Sequence, residues 1–417
     1  MKITVQCDDA RLAMTVPKKW VSGSMSQILE AFLTSPTAKK LGLAADADVR
    51  METSTGAPID ADDVVSAKVR DGDVVRVLRG ATAAAAAGGG GARALTRHAW
   101  QKALTKKAED FVTCSEDVAF VAGEVSYAVF VVCDGHGGQS AAASAHKRLL
   151  PELIAALDRL VDGANGVAAC RAAFAVQLPQ ALRDAFVATN ADCVSRGGDA
   201  GSTCTVVVVA PGICAVEAAL SEEDSDDERQ VGDDERWLGP PEELRASAAL
   251  QSLVVCANVG DSLAYVGSEP AKAMLISHDH RLDRNPAEQM RLQKAGASVG
   301  RHKEGKSELV GAAAKQPLRL WPGGLMMSRV LGDADTPLAL CVPEVRACVV
   351  GSRARVMIAS DGLWDELSGK AAFKLVSRDA PARAAQALCD AAKKSGARRG
   401  DTDDIVVVVV DVGADAP

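Results

Sequence analysis

Residues 131–139 read VVCDGHGGQ, an apolar run that stops on Asp134, Gly135 and His136. A turn needs at most one Asp or Gly to redirect the chain, so the histidine is surplus to a simple reversal. Two further apolar runs meet an acid at one end: MIASDG places Asp361 after a strand-like run, and DTDDIVVVVV places Asp403 just before one. In an antiparallel sheet the end of one strand lies beside the start of its neighbour, so the three carboxylates can share one rim. Carboxylates about 4 Å apart repel by roughly 4 kcal/mol per pair at an effective dielectric near 20, so such a cluster spreads, takes up protons or binds a cation. With only oxygen ligands on offer and no Cys/His set at zinc spacing, a hard dication such as Mg²⁺ or Mn²⁺ fits best. Gly135 and Gly362 leave a backbone carbonyl open to approach, because no Cβ intervenes.

These acids must be held by strands. From about residue 94 onward the chain carries short β-branched runs, YAVFVVC, TCTVVVVAP, SLVVCA, SLAYVG, ARVMIAS and IVVVVVDV. Ala-rich helical stretches at 140–160, 168–190 and 370–395 lie between them. LVVCANVGDSLAYV has a short turn at Gly260-Asp261 between two apolar runs, which predicts a hairpin and antiparallel pairing. The expectation is an α+β domain with a large buried sheet core. Residues 1–80 alternate apolar and polar positions, turn helical in SMSQILEAFL and end on GDVVRVLRG, the pattern of a small strand-strand-helix-strand domain. Residues 81–93, ATAAAAAGGGGAR, read as a flexible Ala/Gly linker. The acidic stretch SEEDSDDERQVGDDER at 221–236 predicts a solvated loop inserted at about 217–248 of the larger domain, 94–417.

Composition narrows the partners. A formal net charge of −8 gives no basic footprint for nucleic acid or an anionic membrane. No apolar run approaches the roughly 20 residues of a membrane-spanning helix. Eleven cysteines without a CxxC pair, and no leading charged-then-apolar segment, predict reduced thiols in a soluble cytosolic or nuclear protein. A monomer is expected.

Eight stretches, in order over about 100–412, resemble the metal-dependent serine/threonine protein phosphatases of the 2C type: KKAED, VVCDGHGG, GSTCTVVVV, ANVGDSLAYV, HDHRLDRNPAEQMRLQKAGASVGR, PLRLWPGGLMMSRVLGD, VMIASDGLWDEL and DTDDIVVVVV. The resemblance implies an α-β-β-α sandwich of two packed antiparallel sheets flanked by helices, with a site for two Mg²⁺ or Mn²⁺ ions at one end and a third, weaker ion left open. Carried over, it makes Asp134 the acid shared by both ions. Glu109 and the Gly135 carbonyl complete one site, Asp361 and Asp403 the other. His136 becomes the proton donor to the leaving group, and phosphoserine/phosphothreonine proteins become the substrates. The rival expectation is a phosphatase-fold binding protein without activity, which loss of a metal acid would favour; a phosphohydrolase of small molecules is a third.

The match has departures. Glu116-Asp117 competes with Glu109-Asp110 for the N-terminal ligand. Glu109 is preferred because it follows KK as in plant members. Thr105 stands where many relatives carry a phosphate-holding arginine, leaving Lys106 or Lys107 as a substitute point charge. Asp401 and Asp404 compete with Asp403, which ungapped matching selects. Leu263 replaces a common arginine after GDS, read as the loss of a contact at the surface or just behind the site. The two histidines of HDHRLD are read as structural. Residues 1–80 more weakly resemble a ubiquitin-like β-grasp, with a protein-docking role as the expectation.

Overall fold

The computed structural model describes residues 2–7, 10–17, 25–33, 49–53, 58–59, 74–79, 96–105, 107–120, 125–160, 167–211, 252–301, 316–351, 353–399 and 403–413. The chain divides into two units, Met1–Arg93 and Ala94–Pro417. The expected linker 81–93 and acidic insertion 217–248 lie outside the described residues. Among the described residues no helix is long and apolar enough to cross a membrane.

In the first unit β1 (Lys2–Cys7), β2 (Ala10–Thr15), α1 (Ser26–Leu33), β3 (Val49–Thr53), β4 (Pro58–Ile59) and β5 (Val74–Arg79) follow one another. The sheet order is β2-β1-β5-β3-β4, with β1 and β5 parallel and the other neighbours antiparallel. Ile3, Val5 and Val75 of the strands and Met25, Ile28 and Phe32 around the helix are buried.

The second unit runs β6 (Thr96–Ala103), β7 (Phe111–Phe120), β8 (Val125–Cys133), β9 (Gly135–His136), α2 (Ser140–Leu160), α3 (Val167–Gly197), β10 (Gly201–Ser202) and β11 (Cys204–Pro211). Then come β12 (Ser252–Val259), β13 (Leu263–Gly267), β14 (Met274–Leu275), α4 (Pro286–Lys294), β15 (Ser298–Gly300), β16 (Arg319–Trp321), β17 (Leu331–Gly332) and β18 (Glu344–Val350). The last elements are β19 (Ala354–Ala359), α5 (Asp361–Trp364), α6 (Gly369–Val376), α7 (Pro381–Arg399) and β20 (Ile405–Val412). Two antiparallel five-stranded sheets result, β18-β12-β11-β8-β7 and β14-β13-β19-β20-β6.

The valine runs follow from burial on both faces, where alternation has no polar side to mark. On β8, Val129 and Val131 pack under α2 and α3 with Leu153 and Phe174, while Phe130 and Val132 point into the layer between the sheets. On β20, Val408 and Val410 enter the same middle layer, while Val407 and Val409 pack against Phe373 and Leu388 of α6 and α7. Helices thus cover both outer faces of the sandwich. The helical stretch expected at 370–395 is split, with α6 ending at Val376 and Pro381 starting α7, a position where its missing N–H costs nothing.

The hairpin expected around Gly260-Asp261 does not form. β12 belongs to the first sheet and β13 to the second, so the turn carries the chain across the sandwich. Both runs are buried along their length, with only Tyr265 partly exposed, so no alternation tells a same-sheet return from a crossing. Leu263 is buried against Leu363 and Ile405.

Candidate active site

β19 and β20 are antiparallel neighbours with Ala359 opposite Val407, so Asp361 and Asp403 emerge at one end of the second sheet. β8 delivers Asp134 from the first sheet. Its backbone is pinned on both sides, Asp134 N–H donating to Thr203 Oγ1 at 3.1 Å and Thr203 N–H to the Asp134 carbonyl at 2.9 Å. The Asp134 carboxyl lies within electrostatic reach of Asp110, Asp361 and Asp261, and desolvation followed by these charges pushes its pKa well up. The same balance raises Asp361 to about 7, burial first and Asp261 next, against the opposing charge of Arg281. Carboxylates from both sheets therefore crowd one rim of the sandwich.

Asp110 is the residue that sequence reasoning passed over. Its side chain is 1% exposed, and neither carboxylate oxygen is in hydrogen-bonding geometry, although Ser360 and Asp134 are its neighbours. Burial pushes it up to about 7. The signal was an acid beside the chosen Glu109; what the sequence lacks is which of the two turns inward. Glu109 itself is half-buried, and its carbonyl accepts from Gly135 N–H at 3.2 Å. Glu116 falls within β7, and its side chain lies outside the described residues.

The C-terminal acids separate by their partners. Asp404 is buried and accepts from the backbone N–H groups of Thr105 and of Glu109, the latter at 2.7 Å, so it ties the segment before β7 to the start of β20. Asp403 is 44% exposed and takes Lys107 Nζ at 3.1 Å. Asp401 and Lys106 lie outside the described residues. The Asp403 hydrogen bond raises Lys107, whose ammonium also feels Glu109 and Asp134.

His136 is set by a small sheet of its own. β10 pairs with β9 and with β17, Gly201 lying opposite both His136 and Gly332. This brings Asp333, just after β17, to His136, with Nε2 and Oδ2 2.7 Å apart. Burial opposes the imidazolium, but the hydrogen bond and charge of Asp333 outweigh it and raise the His136 pKa above its usual value. By contrast, His278 and His280 turn away from the rim onto Glu344, at 2.8 and 3.1 Å.

The donor set suits a hard dication. It offers oxygen only, it includes the two orphaned oxygens of Asp110, and it is served by Gly135, where a Cβ would come within 2.8 Å of the Glu109 carbonyl oxygen. Among the described residues no three His, Cys, Asp or Glu side chains stand ready-made around one metal position. The acids lean instead on Arg281, Lys107 and backbone N–H groups. A cavity of about 260 Å³ opens beside them, lined among others by Leu104, Thr105, Asp361, Asp365, Lys393 and Asp403.

Known proteins resemble this chain over about three quarters of its length. The sequence model of the family described as Protein phosphatase 2C matches residues 245–400. The chain is 32% identical over 318 residues to "Probable protein phosphatase 2C 69" of Oryza sativa subsp. japonica, covering 75% of this chain and 62% of that one. It is 29% identical over 317 residues to "Probable protein phosphatase 2C 5" of Arabidopsis thaliana, with the same coverages of 75% and 62%. The chain thus spans about three fifths of the length of these relatives. Two solved structures from Toxoplasma gondii share the fold: a serine-threonine phosphatase 2C (21% identity, TM-score 0.50, 76% of this chain and 98% of that one) and a phosphatase (20%, 0.53, 76% and 93%). The ubiquitin-like reading of residues 1–80 gains no support from these comparisons.

Proposed function

The chain belongs to the protein phosphatase 2C family, and from that premise we propose that it hydrolyses phosphoserine and phosphothreonine in proteins with Mg²⁺ or Mn²⁺. The observation that carries the proposal is the rim itself, where Asp134 of one sheet meets Asp361 of the other beside a histidine held by a carboxylate. Asp134, Glu109, the Gly135 carbonyl, Asp361 and Asp403 would hold two ions, with Asp110 facing the same space. When bound, the ions supply an activated water at neutral pH and neutralise charge on the phosphoryl group.

The chain's own residues do the rest. A serine or threonine alkoxide leaves poorly without a proton, and His136, whose Nε2 is engaged by Asp333 and whose basicity that carboxylate raises, delivers one from Nδ1 as the ester bond breaks. Lys107 is a cation at the rim available to the substrate phosphate, once that phosphate draws it from Asp403. A lysine does this as a point charge, without the fork of an arginine.

The test is phosphate release from a phosphothreonine peptide with Mn²⁺, with EDTA and after Asp361→Asn. Release that needs Mn²⁺ and falls by about 10²-fold or more in D361N is expected. Release that survives both EDTA and the substitution overturns the proposal.

A further inference from the structure

One guanidinium gathers three acids at this rim. Arg281 lies on the segment between β14 and α4. Its Nε donates to Asp261 Oδ2, its Nη2 to Asp361 Oδ2 at 2.5 Å, and its Nη1 to both oxygens of Asp365 at 2.8 Å. Arg284 adds a second contact to Asp365 Oδ1 at 3.1 Å and one to Asp279 Oδ2 at 3.1 Å. The segment under Arg281 is tied down by backbone hydrogen bonds. His280 N–H donates to the Gly260 carbonyl at 3.1 Å, Ser328 N–H to the His280 carbonyl at 3.0 Å, and Arg281 N–H to Asp279 Oδ1 at 3.0 Å.

We infer that Arg281 is a positioning residue for the proposed hydrolysis. Its fork takes Oδ2 of Asp361 and leaves Oδ1 outside that contact, on a carboxylate that lies within electrostatic reach of Asp134. It also balances Asp261, 5% exposed, and Asp365, which without a counter-charge would repel Asp361 from its place. Three separate directions of hydrogen bonding are needed at fixed angles, and a planar guanidinium provides them where an ammonium does not. The lost orientation of a ligating carboxylate costs about 10–100-fold in metal affinity. The inference rests on the metal reading above.

The experiment measures Mn²⁺ binding by the full chain from the electron paramagnetic resonance signal of free Mn²⁺. Wild type, Arg281→Lys and Arg281→Met are compared, with circular dichroism to verify folding. R281K keeps the charge and loses the fork, so it decides the matter where R281M fails to fold. A rise of about 10–100-fold in the Mn²⁺ Kd of folded R281K is the expected result. An unchanged or lower Kd overturns the role of Arg281 while leaving the metal reading in place. Absence of Mn²⁺ binding by the wild type overturns the metal reading and this inference with it.

Discussion

Gly201 is where the proton-donor hypothesis is most exposed to test. It lies opposite His136 across β9 and β10, and a Cβ built there would stand less than 3.0 Å from both Asp333 Oδ2 and His136 Nε2. The Gly201 backbone is outside the left-handed region, so alanine fits the main chain and only the space is at issue. Non-bonded heavy atoms meet at about 3.5–4.0 Å, so the two side chains must retreat by roughly 1–2 Å, which displaces their 2.7 Å bond from its place at the rim. Overpacking of this kind costs about 1–3 kcal/mol, small enough to leave a folded enzyme. General acid catalysis contributes roughly 10²–10⁴-fold, equal to about 3–5 kcal/mol of barrier at 1.36 kcal/mol per tenfold. Gly201→Ala is therefore expected to slow phosphothreonine peptide turnover by about 10²-fold or more. On p-nitrophenyl phosphate, whose phenolate leaves without proton help, it is expected to slow turnover by less than about 10-fold. Steady-state kcat on both substrates at saturating Mn²⁺, with a thermal melt alongside, makes the comparison. Equal losses on the two esters in a folded protein, or no loss on the peptide, would refute the acid role of the His136–Asp333 pair.

Two further outcomes concern stability. Arg355 is buried and donates to Asp411 through Nε at 2.6 Å and Nη2 at 3.0 Å, and to the Val376 and Asp379 carbonyls at 2.6 and 2.7 Å. Arg355→Met, which leaves buried Asp411 to the longer 3.6 Å pair with the exposed Arg97, is expected to cost up to about 3–5 kcal/mol by urea unfolding, with Arg355→Met/Asp411→Leu recovering most of it; a double variant no better than the single one contradicts this. Glu288 is held at about 2 because hydrogen bonds from Arg291 and Arg329 overcome the burial that opposes its charge. A lowered folded-state pKa means the stabilisation is present above the ordinary value of 4.5 and fades as pH falls toward 2. Glu288→Gln is thus expected to lose up to about 3 kcal/mol at pH 7, the gap from wild type closing in acid; a gap independent of pH speaks against the linkage.

Much of this rim was readable from the chain because acids at the ends of valine runs have no bland place to go. Asp134, Asp361 and Asp403 sit at strand ends, and antiparallel pairing of β19 with β20 sets the last two side by side. What stayed hidden depends on contacts made far along the sequence. Asp110 and Glu109 are adjacent and chemically alike, and only the folded chain, with Asp110 buried and Glu109 half-buried, shows which acid is turned inward. Asp333 becomes a partner of His136 only once β17 and β9 flank β10, a pairing of two-residue strands with no propensity signal. Arg281 reads as an ordinary charge in HDHRLD until Asp261, Asp361 and Asp365 converge on it. The crossing at Gly260 was misjudged because strands buried on both faces do not say which sheet they join.

The division of the rim between two layers ties chemistry to the slab of side chains beneath it. Asp134 rides on one sheet and Asp361 on the other, and their spacing is fixed by how Phe130, Val207, Ile358 and Val408 mesh in between. A slight slip of one layer over its partner would re-gauge the gap between the acids like the jaws of a vice, although no residue at the rim had changed. Turnover should then register loosened packing deep in the sandwich sooner than a melting curve does.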